Sequence, residues 1–206
     1  DPKVNVPSAN LQNIKGQKER RNQAAESRRE NKMLAAKIAK LVGSKNGPPK
    51  VVGFLPCSEN ADANAFLSFL NFEPEVDDFM IQSGVVTGGQ FQCRIIPLAI
   101  ERSIDVVIDI GKVADIIVLV FLNEEPLDQW GSNAISVLKS IGLPQIMAVV
   151  VANEGETIPK SSLVNYKTYI QKDLPDVERV LKLENEDDMA QFVRFLSVMT
   201  PKPISW

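Results

Sequence analysis

The sequence predicts an α/β fold in which a mostly parallel sheet is flanked by helices and preceded by a long basic α-helix. Two observations lead to this fold class. From Lys50 onward, short apolar runs alternate with helix-like segments, which is the pattern of βα units. Before Lys50 lies a strongly basic stretch with few large apolar residues, which is typical of a helix that faces solvent or a partner.

The two parts of the chain carry opposite charge. Residues 1–50 hold 12 Lys/Arg and 4 Asp/Glu, whereas residues 51–206 hold 11 Lys/Arg and 22 Asp/Glu. Residues 12–42 contain no proline and are rich in good helix formers. We therefore predict a long helix that ends at Gly43 with a left-handed cap. The predicted domains are a basic extension at residues 1–44 and an α/β domain at residues 45–206.

The basic helix is a candidate RNA-binding element. Closely spaced cations displace counterions from a phosphate backbone and so give affinity without base readout. Interleaved glutamates favour the alternative, a solvated charged helix or linker, and the absence of aromatic residues argues against a stacking platform. Contact with folded RNA through shape and phosphates fits better. The candidate RNA-binding residues are Lys15, Lys18, Arg20, Arg21, Arg28, Arg29 and Lys32.

Strands and helices are predicted in alternation along the α/β domain, with residues 71–89 unassigned apart from a turn at Thr87-Gly88-Gly89. The predicted strands are Lys50–Leu55, Gln90–Ile96, Val106–Ile110, Ile116–Phe121, Ile146–Ala152 and Arg179–Lys182. The predicted helices are Ala61–Leu70, Asn133–Ile141, Ser162–Lys172 and Asp187–Met199.

The segment after the first strand lacks a phosphate loop. A nucleotide triphosphatase of this layout carries GxxxxGK[ST] there, so that backbone amides, a lysine and a hydroxyl hold the phosphates and magnesium. Residues 56–63 read PCSENADA, with no glycine and no lysine. Glu59 and Asp62 would also repel a phosphate at the start of the next helix. The sequence therefore predicts that this domain does not use GTP.

Two further nucleotide motifs are incomplete. The strand ending near Ala152 is followed by Asn153-Glu154-Gly155, which keeps only the asparagine of a guanine-reading NKxD. Asp109-Ile110-Gly111-Lys112 is expected to follow a strand, at the place where a GTPase carries its DxxG switch, and Asp109 is the candidate magnesium ligand there. Without a phosphate loop, Asp109 and Asp115 are better interpreted as turn or capping residues.

The composition excludes several classes of catalytic site. The chain has no histidine, which removes Ser-His and Cys-His mechanisms and most metal hydrolase sites. Cys57 and Cys93 have no CxxC spacing and are predicted to be buried reduced thiols. No apolar run approaches the roughly 20 residues of a membrane span. We predict no catalytic residue, no bound metal and no cofactor.

Four segments carry a family resemblance: residues 45–50 before the first strand, Val106–Asp115, Ile141–Pro144 and Pro203–Trp206. From about Lys15 to Trp206 the chain resembles the eukaryotic pre-rRNA-processing factors named for twenty-S rRNA accumulation, catalytically silent relatives of translational GTPases. The resemblance implies a non-catalytic assembly factor of the pre-40S particle. Members of that family continue into β-barrel domains, which are expected beyond this chain.

The resemblance further implies that the helix binds small-subunit precursor rRNA and that the body blocks premature binding of translation factors. Its implied partners are this rRNA and the ribosomal proteins of the particle, without a membrane or a small-molecule substrate, in the nucleolus, the nucleus and the cytoplasm. Two alternatives stay open. One is a degenerate GTPase that still binds nucleotide through Asp109 and Lys112, and the other is a protein-binding adaptor.

Overall fold

The computed structural model describes residues 20–34, 41–44, 47–74, 83–142, 144–152, 156–177 and 179–201. The chain divides into two compact units, Asp1–Ala39 and Lys40–Trp206. In the first unit, residues 20–34 form helix α1. The second unit is called the α/β unit below. Helix α1 lies within the span predicted to be helical, whereas the domain boundary after residue 44 stays a prediction.

The α/β unit contains seven strands and five helices among its described residues. The strands are β1 (Lys50–Pro56), β2 (Phe72–Pro74), β3 (Gly84–Gly88), β4 (Phe91–Ala99), β5 (Ile116–Leu122), β6 (Gln145–Val151) and β7 (Val180–Leu183). The helices are α2 (Ala63–Phe69), α3 (Ile104–Val113), α4 (Gln129–Ile141), α5 (Lys160–Asp173) and α6 (Glu186–Val198).

The strands form one sheet in the order β2-β3-β4-β1-β5-β6-β7. Strands β4, β1, β5, β6 and β7 run parallel, while β2 and β3 pair antiparallel at one edge. The predicted α/β class with a mostly parallel sheet is confirmed. Because parallel strands end on the same side, the loops after β1, β4, β5, β6 and β7 meet there. We call this side the carboxyl edge.

Helices cover both faces of the sheet, and the residues of β5 show how. Ile116, Val118 and Val120 belong to the apolar cluster that includes α2 and α6. Ile117, Leu119 and Phe121 belong to the cluster that includes α3, α4 and α5. Successive side chains of a strand point to opposite faces, so a strand buried on both sides reads as a continuous apolar run. This is why β5 was predictable from sequence.

The predicted strand at Val106–Ile110 is wrong, because these residues lie inside helix α3. Their β-branched side chains resemble a buried strand, yet only one face of the segment is buried. Val107 and Gly111, four residues apart, face the core, and a side chain at Gly111 would collide with Leu138 and Ile141 of α4. Close packing of α3 against α4 therefore explains the glycine, and tertiary packing overrides the strand propensity.

The unassigned stretch contributes two strands of the sheet. Strand β2 pairs with β3, and β3 pairs with β4 through a turn at Gly89 and Gln90. The turn predicted at Thr87-Gly88-Gly89 is therefore shifted, since Thr87 and Gly88 belong to β3. Gly89 has a φ of +56°, the left-handed conformation that glycine adopts without strain. Within the described residues, no helix has the length and apolarity to cross a bilayer.

Candidate functional site

Helix α1 carries five of the seven residues predicted to bind RNA. Arg20, Arg21, Arg28, Arg29 and Lys32 are all exposed, and none forms an ion pair with another described residue. Lys15 and Lys18 lie outside the described residues. The five described cations are thus solvated, which leaves their charge accessible to a polyanion.

The helical spacing separates the charges of α1 by sign. At about 100° per residue, the same five cations fall within about 180° of the helix circumference. Glu26 and Glu30 fall on the other side, together with Met33 and Leu34. We call the side with the five cations the cationic half. The glutamates that are interleaved in the sequence therefore do not interrupt the cationic surface.

Two backbone amides at the β1–α2 loop and the start of α2 donate to carboxylates of the protein itself. The Asp62 side chain caps α2 by accepting a hydrogen bond from Asn64 N at 2.8 Å. Glu125 accepts from both Asn60 N (3.2 Å) and Asn60 Nδ2 (2.7 Å). These are the kinds of amide that cradle phosphates in a phosphate loop. These two amides therefore already donate to internal carboxylates.

The carbonyl groups of the same loop are held by an internal arginine. The Arg102 guanidinium donates to Ser58 O and, at 3.0 Å, to Glu59 O. Its other terminal nitrogen lies 2.6 Å from Asp128 Oδ2, and the guanidinium lies 5.2 Å from the Trp130 ring centroid. Arginine suits this position because its planar fork donates in several directions at once. The loop is thus fixed from one side by Arg102.

The loop after β5 fixes the β1–α2 loop from the other side. The Ser58 hydroxyl accepts from Leu122 N at 3.2 Å and donates to Glu125 O at 3.3 Å. Asp128 N donates to Cys57 O at 3.0 Å, and the Asp128 carboxylate caps α4 by accepting from Gly131 N at 2.6 Å. Burial, and next the nearby Asp128, raise the pKa of the Cys57 thiol. Cys57 is therefore an uncharged part of the core, not a nucleophile.

Asp109 and Lys112 do not reach this loop through a switch segment. Both are exposed residues of α3, whereas the chain that follows β4 at the carboxyl edge is Ile100–Ser103. The expectation that Asp109 follows a strand is therefore wrong. Asp109 and Lys112 lie on the exposed side of α3, while Val107 and Gly111 lie on its buried side. This is the pattern of an amphipathic surface helix.

The place of the guanine-reading motif is only partly described. Strand β6 ends at Val151, and residues 153–155 lie outside the described residues. Next to it, Asn123 is buried and donates through Nδ2 to Glu156 Oε2 at 3.4 Å. The Asn123 Oδ1 atom has no hydrogen-bond partner among the described residues. A buried polar atom without a partner is uncommon in folded proteins.

A cleft of about 620 Å³ opens at the carboxyl edge between α2 and the ends of β5, β6 and β7. Its walls include the acidic residues Asp62, Glu156 and Glu184, and no described lysine or arginine lines it. We call it the acid-rimmed cleft. Among the described residues, no group of three or more His, Cys, Asp or Glu side chains is placed to hold a metal ion. The acidic residues on its walls disfavour a nucleotide phosphate.

Sequence reasoning missed Arg102 and Glu125, which hold the degenerate loop. Each of them forms a hydrogen bond with a residue more than 40 positions away in the sequence, so no local sequence pattern predicts these contacts. The one available signal is an arginine six residues after the predicted strand Gln90–Ile96, in a connection at the edge where open α/β sheets bind ligands. Glu125 follows Glu124 in the sequence, and such a pair is typical of a solvated loop.

Comparisons with known proteins agree with this architecture. A family model described as "Tsr1, G-like domain" matches residues 50–198. The "Ribosome biogenesis protein tsr1" of Schizosaccharomyces pombe is 24% identical over 200 residues, which are 91% of this chain and 25% of that protein. The chain therefore spans about a quarter of the length of this curated relative.

Solved structures of Era show the same fold. Era from Aquifex aeolicus, bound to GDP and AlF4−, superposes with a TM-score of 0.53 at 12% identity, covering 79% of this chain and 58% of that one. Era in complex with MgGDPNP and nucleotides 1506–1542 of 16S ribosomal RNA gives 0.52 at 12% identity, covering 80% and 59%. The fold is that of a GTPase domain, and, since the family model covers well over half of the chain, the chain belongs to the family of Tsr1 G-like domains.

Proposed function

We propose that the chain acts in ribosome biogenesis without catalysis, by docking on small-subunit precursor rRNA through helix α1. The name of its Schizosaccharomyces pombe relative supports the biological process. The observation that carries the proposal is the cationic half of α1, where five exposed cations face one way and the glutamates face the other. Such a surface binds phosphates without needing aromatic stacking.

The GTPase-like unit serves this function by its shape. Asp62 and Glu125 occupy loop amides, and Arg102 holds the loop carbonyls, so the β1–α2 loop is closed by internal contacts. A nucleotide phosphate would have to displace these carboxylates and then lie beside them. Two like charges about 4 Å apart repel each other by about 1 kcal/mol in water and about 4 kcal/mol near a protein surface. This supports an assembly factor that needs no GTP.

In this proposal the α/β unit occupies the site of a translational GTPase on the pre-40S particle and blocks premature factor binding. Its partners are small-subunit rRNA and ribosomal proteins, and it accompanies the particle from the nucleolus and nucleus to the cytoplasm. In this proposal the basic extension (1–44) anchors the chain to rRNA, and the α/β domain (45–206) blocks the binding of translation factors. Prior addition of the chain to small subunits is expected to reduce binding of a translational GTPase.

The anchoring role is tested by reversing three cations that lie within a narrow stripe of α1. Arg21, Arg28 and Lys32 fall within about 40° of each other around the helix. R21E/R28E/K32E is expected to weaken binding to small-subunit precursor rRNA about tenfold or more. Each phosphate contact that is lost no longer releases counterions from the RNA, and this release contributes to the affinity. Fluorescence anisotropy with labelled precursor rRNA measures the affinity.

The matched control reverses the same number of charges elsewhere. Lys112, Lys160 and Lys167 are exposed on α3 and α5 of the α/β unit. K112E/K160E/K167E changes the net charge equally and is expected to keep most of the affinity. Equal losses in both variants would refute an anchor located on α1 and would point to nonspecific electrostatics.

The alternative of a degenerate nucleotide-binding GTPase makes an opposite prediction. It requires saturable binding of a GTP analogue in the presence of magnesium, which calorimetry would detect. We expect no binding at millimolar analogue, because Asn60 N and Asn64 N already donate to carboxylates. Saturable binding that is lost in D109N and K112M would establish the alternative.

A further inference from the structure

The turn that leads into β1 is closed on itself and fastened to the sheet. We call residues 41–49, of which 41–44 and 47–49 are described, the entry turn. Gly43 N donates to Pro48 O at 2.7 Å, and Arg94 N of β4 donates to Gly43 O at 2.9 Å. Gly43 is buried. The entry turn is therefore a packed part of the α/β unit.

The side chain of Lys50 packs directly against Gly43. Gly43 has a φ of +79°, and a β-carbon at this position would lie 2.7 Å from Lys50 Cε and 2.9 Å from Lys50 Cδ and Cγ. These distances are well below the roughly 3.5–4.0 Å of a favourable carbon–carbon contact. An alanine at Gly43 would be strained by its φ, and it would also push the Lys50 side chain aside.

The other end of the Lys50 side chain is held by helix α6. Its Nζ donates to Leu196 O at 2.6 Å, Ser197 O at 2.8 Å and Met199 O at 2.7 Å. Carbonyl groups at the end of a helix have no amide partner within the helix, and an ammonium group has three donors to offer them. Lys50 is only 1% exposed, so water has little access to replace these hydrogen bonds.

One side chain therefore joins two segments that are distant in sequence, since Lys50 and Leu196 are 146 positions apart. Because Lys50 begins β1, this link lies at the opposite edge of the sheet from the acid-rimmed cleft. A buried side chain that is packed along its length and bonded at its tip has little room to shift at one end alone. Movement of either segment thus disturbs the contact with the other.

We propose that the entry turn and the last turn of α6 form one conformational unit, linked by the Lys50 side chain, so that opening of either segment loosens the other. Coupling between separate segments is carried by packed side chains and hydrogen bonds, and Gly43 and Lys50 supply these contacts. A coupling free energy is reciprocal, so the effect runs in both directions. The coupling uses no residue of α1, so it can fail without affecting rRNA docking.

Amide hydrogen exchange of the full chain, resolved by NMR, measures the opening of each segment. G43A is expected to speed exchange at Met199 N about tenfold, because a displaced Lys50 no longer donates to the end of α6. In the other direction, M199P suits the φ of −60° at this position but removes the hydrogen bond from Met199 N to Phe195 O. M199P is expected to speed exchange at Gly43 N by about the same factor.

K50M removes the link and completes a double-mutant cycle. K50M alone is expected to speed exchange at both Gly43 N and Met199 N. In G43A/K50M, exchange at Met199 N is expected to be no faster than in K50M, because the contact through which G43A acts is already lost. Fully additive effects of the two substitutions at Met199 N would overturn the proposal.

G142A is the matched control for backbone strain. Gly142 has a φ of +93° at the end of α4, which packs on the other face of the sheet. G142A is expected to leave exchange at Gly43 N and Met199 N unchanged. Thermal unfolding verifies that each variant folds, and if G43A does not fold, M199P carries the same test in the reverse direction. The proposal is wrong if the effect of G43A stays within the entry turn, or if G142A speeds exchange at Met199 N as much as G43A does.

Discussion

Lys50 is almost fully buried, which is unusual for a lysine side chain. Its side chain is 1% exposed, yet its Nζ donates to Leu196 O (2.6 Å), Ser197 O (2.8 Å) and Met199 O (2.7 Å). These carbonyls end helix α6, where the helix dipole and the lack of further amides favour a cation. Burial lowers the pKa of Lys50, while the carbonyls stabilise its charge. The ammonium thus ties β1 to α6.

Replacing Lys50 with methionine, which has a similar shape, tests this contact. K50M is expected to lower the free energy of unfolding by about 1–3 kcal/mol, because the carbonyls that end α6 lose their donor. Urea unfolding measures the change. K112M removes an exposed lysine and should stay within about 0.5 kcal/mol of the parent. A K50M protein as stable as the parent would show that solvent or neighbouring amides satisfy these carbonyls.

Glu184 predicts a dependence of stability on pH. The hydrogen bond from Lys182, and next the one from Ile158 N, lower the pKa of Glu184 below its ordinary value of 4.5. A carboxyl group whose folded pKa is lowered stabilises the fold above its unfolded pKa and loses this effect as pH falls through the folded pKa. The difference in unfolding free energy between parent and E184Q should be constant near neutral pH and shrink below about pH 4.5.

Urea unfolding at a series of pH values measures this difference. E101Q, which removes one exposed carboxylate after β4, is the matched control and should not show the same loss in that window. A difference between parent and E184Q that is independent of pH would contradict the role of the Lys182 and Ile158 contacts.

At the scale of elements, Arg102 joins three segments: the β1–α2 loop, the chain after β4 and the start of α4. R102M is expected to lower the free energy of unfolding by about 1–3 kcal/mol, because Ser58 O, Glu59 O and Asp128 lose their donor. Hydrogen exchange should become faster at residues 57–60. K139M, which breaks the exposed pair with Asp173, should cost less than about 1 kcal/mol.

The same variant distinguishes a closed loop from a latent nucleotide site. R102M should not gain affinity for a GTP analogue, since the carboxylates of Asp62 and Glu125 still hold the amides of Asn64 and Asn60. Appearance of saturable GTP binding in R102M would show that Arg102 alone blocks the site.

Sequence predicted the elements whose burial pattern is unambiguous. Strands β1, β5 and β6 are continuous apolar runs, and α6 has a cap at Asn185 and an apolar face. It failed at α3, where β-branched residues form one buried helical face, and at β2 and β3, which are short and lie at the edge of the sheet. Short edge strands depend on pairing more than on their own composition.

The candidate site was predictable only in part, for a related reason. Loss of the phosphate loop follows from the absence of glycine and lysine between Pro56 and Ala63. The contacts that replace it join residues distant in sequence, such as Asn60 with Glu125 and Ser58 with Arg102. Hydrophobic periodicity and motif spacing indicate local structure. They do not predict which side chains that are distant in sequence come into contact at the carboxyl edge.

At the scale of the whole molecule, charge is divided between the two parts of the chain. Residues 1–50 have an excess of cations, while residues 51–206 have twice as many acids as cations. An acidic α/β unit is repelled by RNA, so in the proposed function the contact with rRNA comes from the basic extension. The proposed function therefore depends above all on docking of α1 on rRNA.

The salt dependence of binding to small-subunit precursor particles tests this docking step. The logarithm of the binding constant falls linearly with the logarithm of the salt concentration. Each phosphate that the protein neutralises makes this slope steeper by about 0.7–0.9. R21E/R28E/K32E is therefore expected to bind more weakly and with a slope shallower by about 2–3 than the parent. Parallel lines of equal affinity for parent and variant would contradict an rRNA anchor on α1.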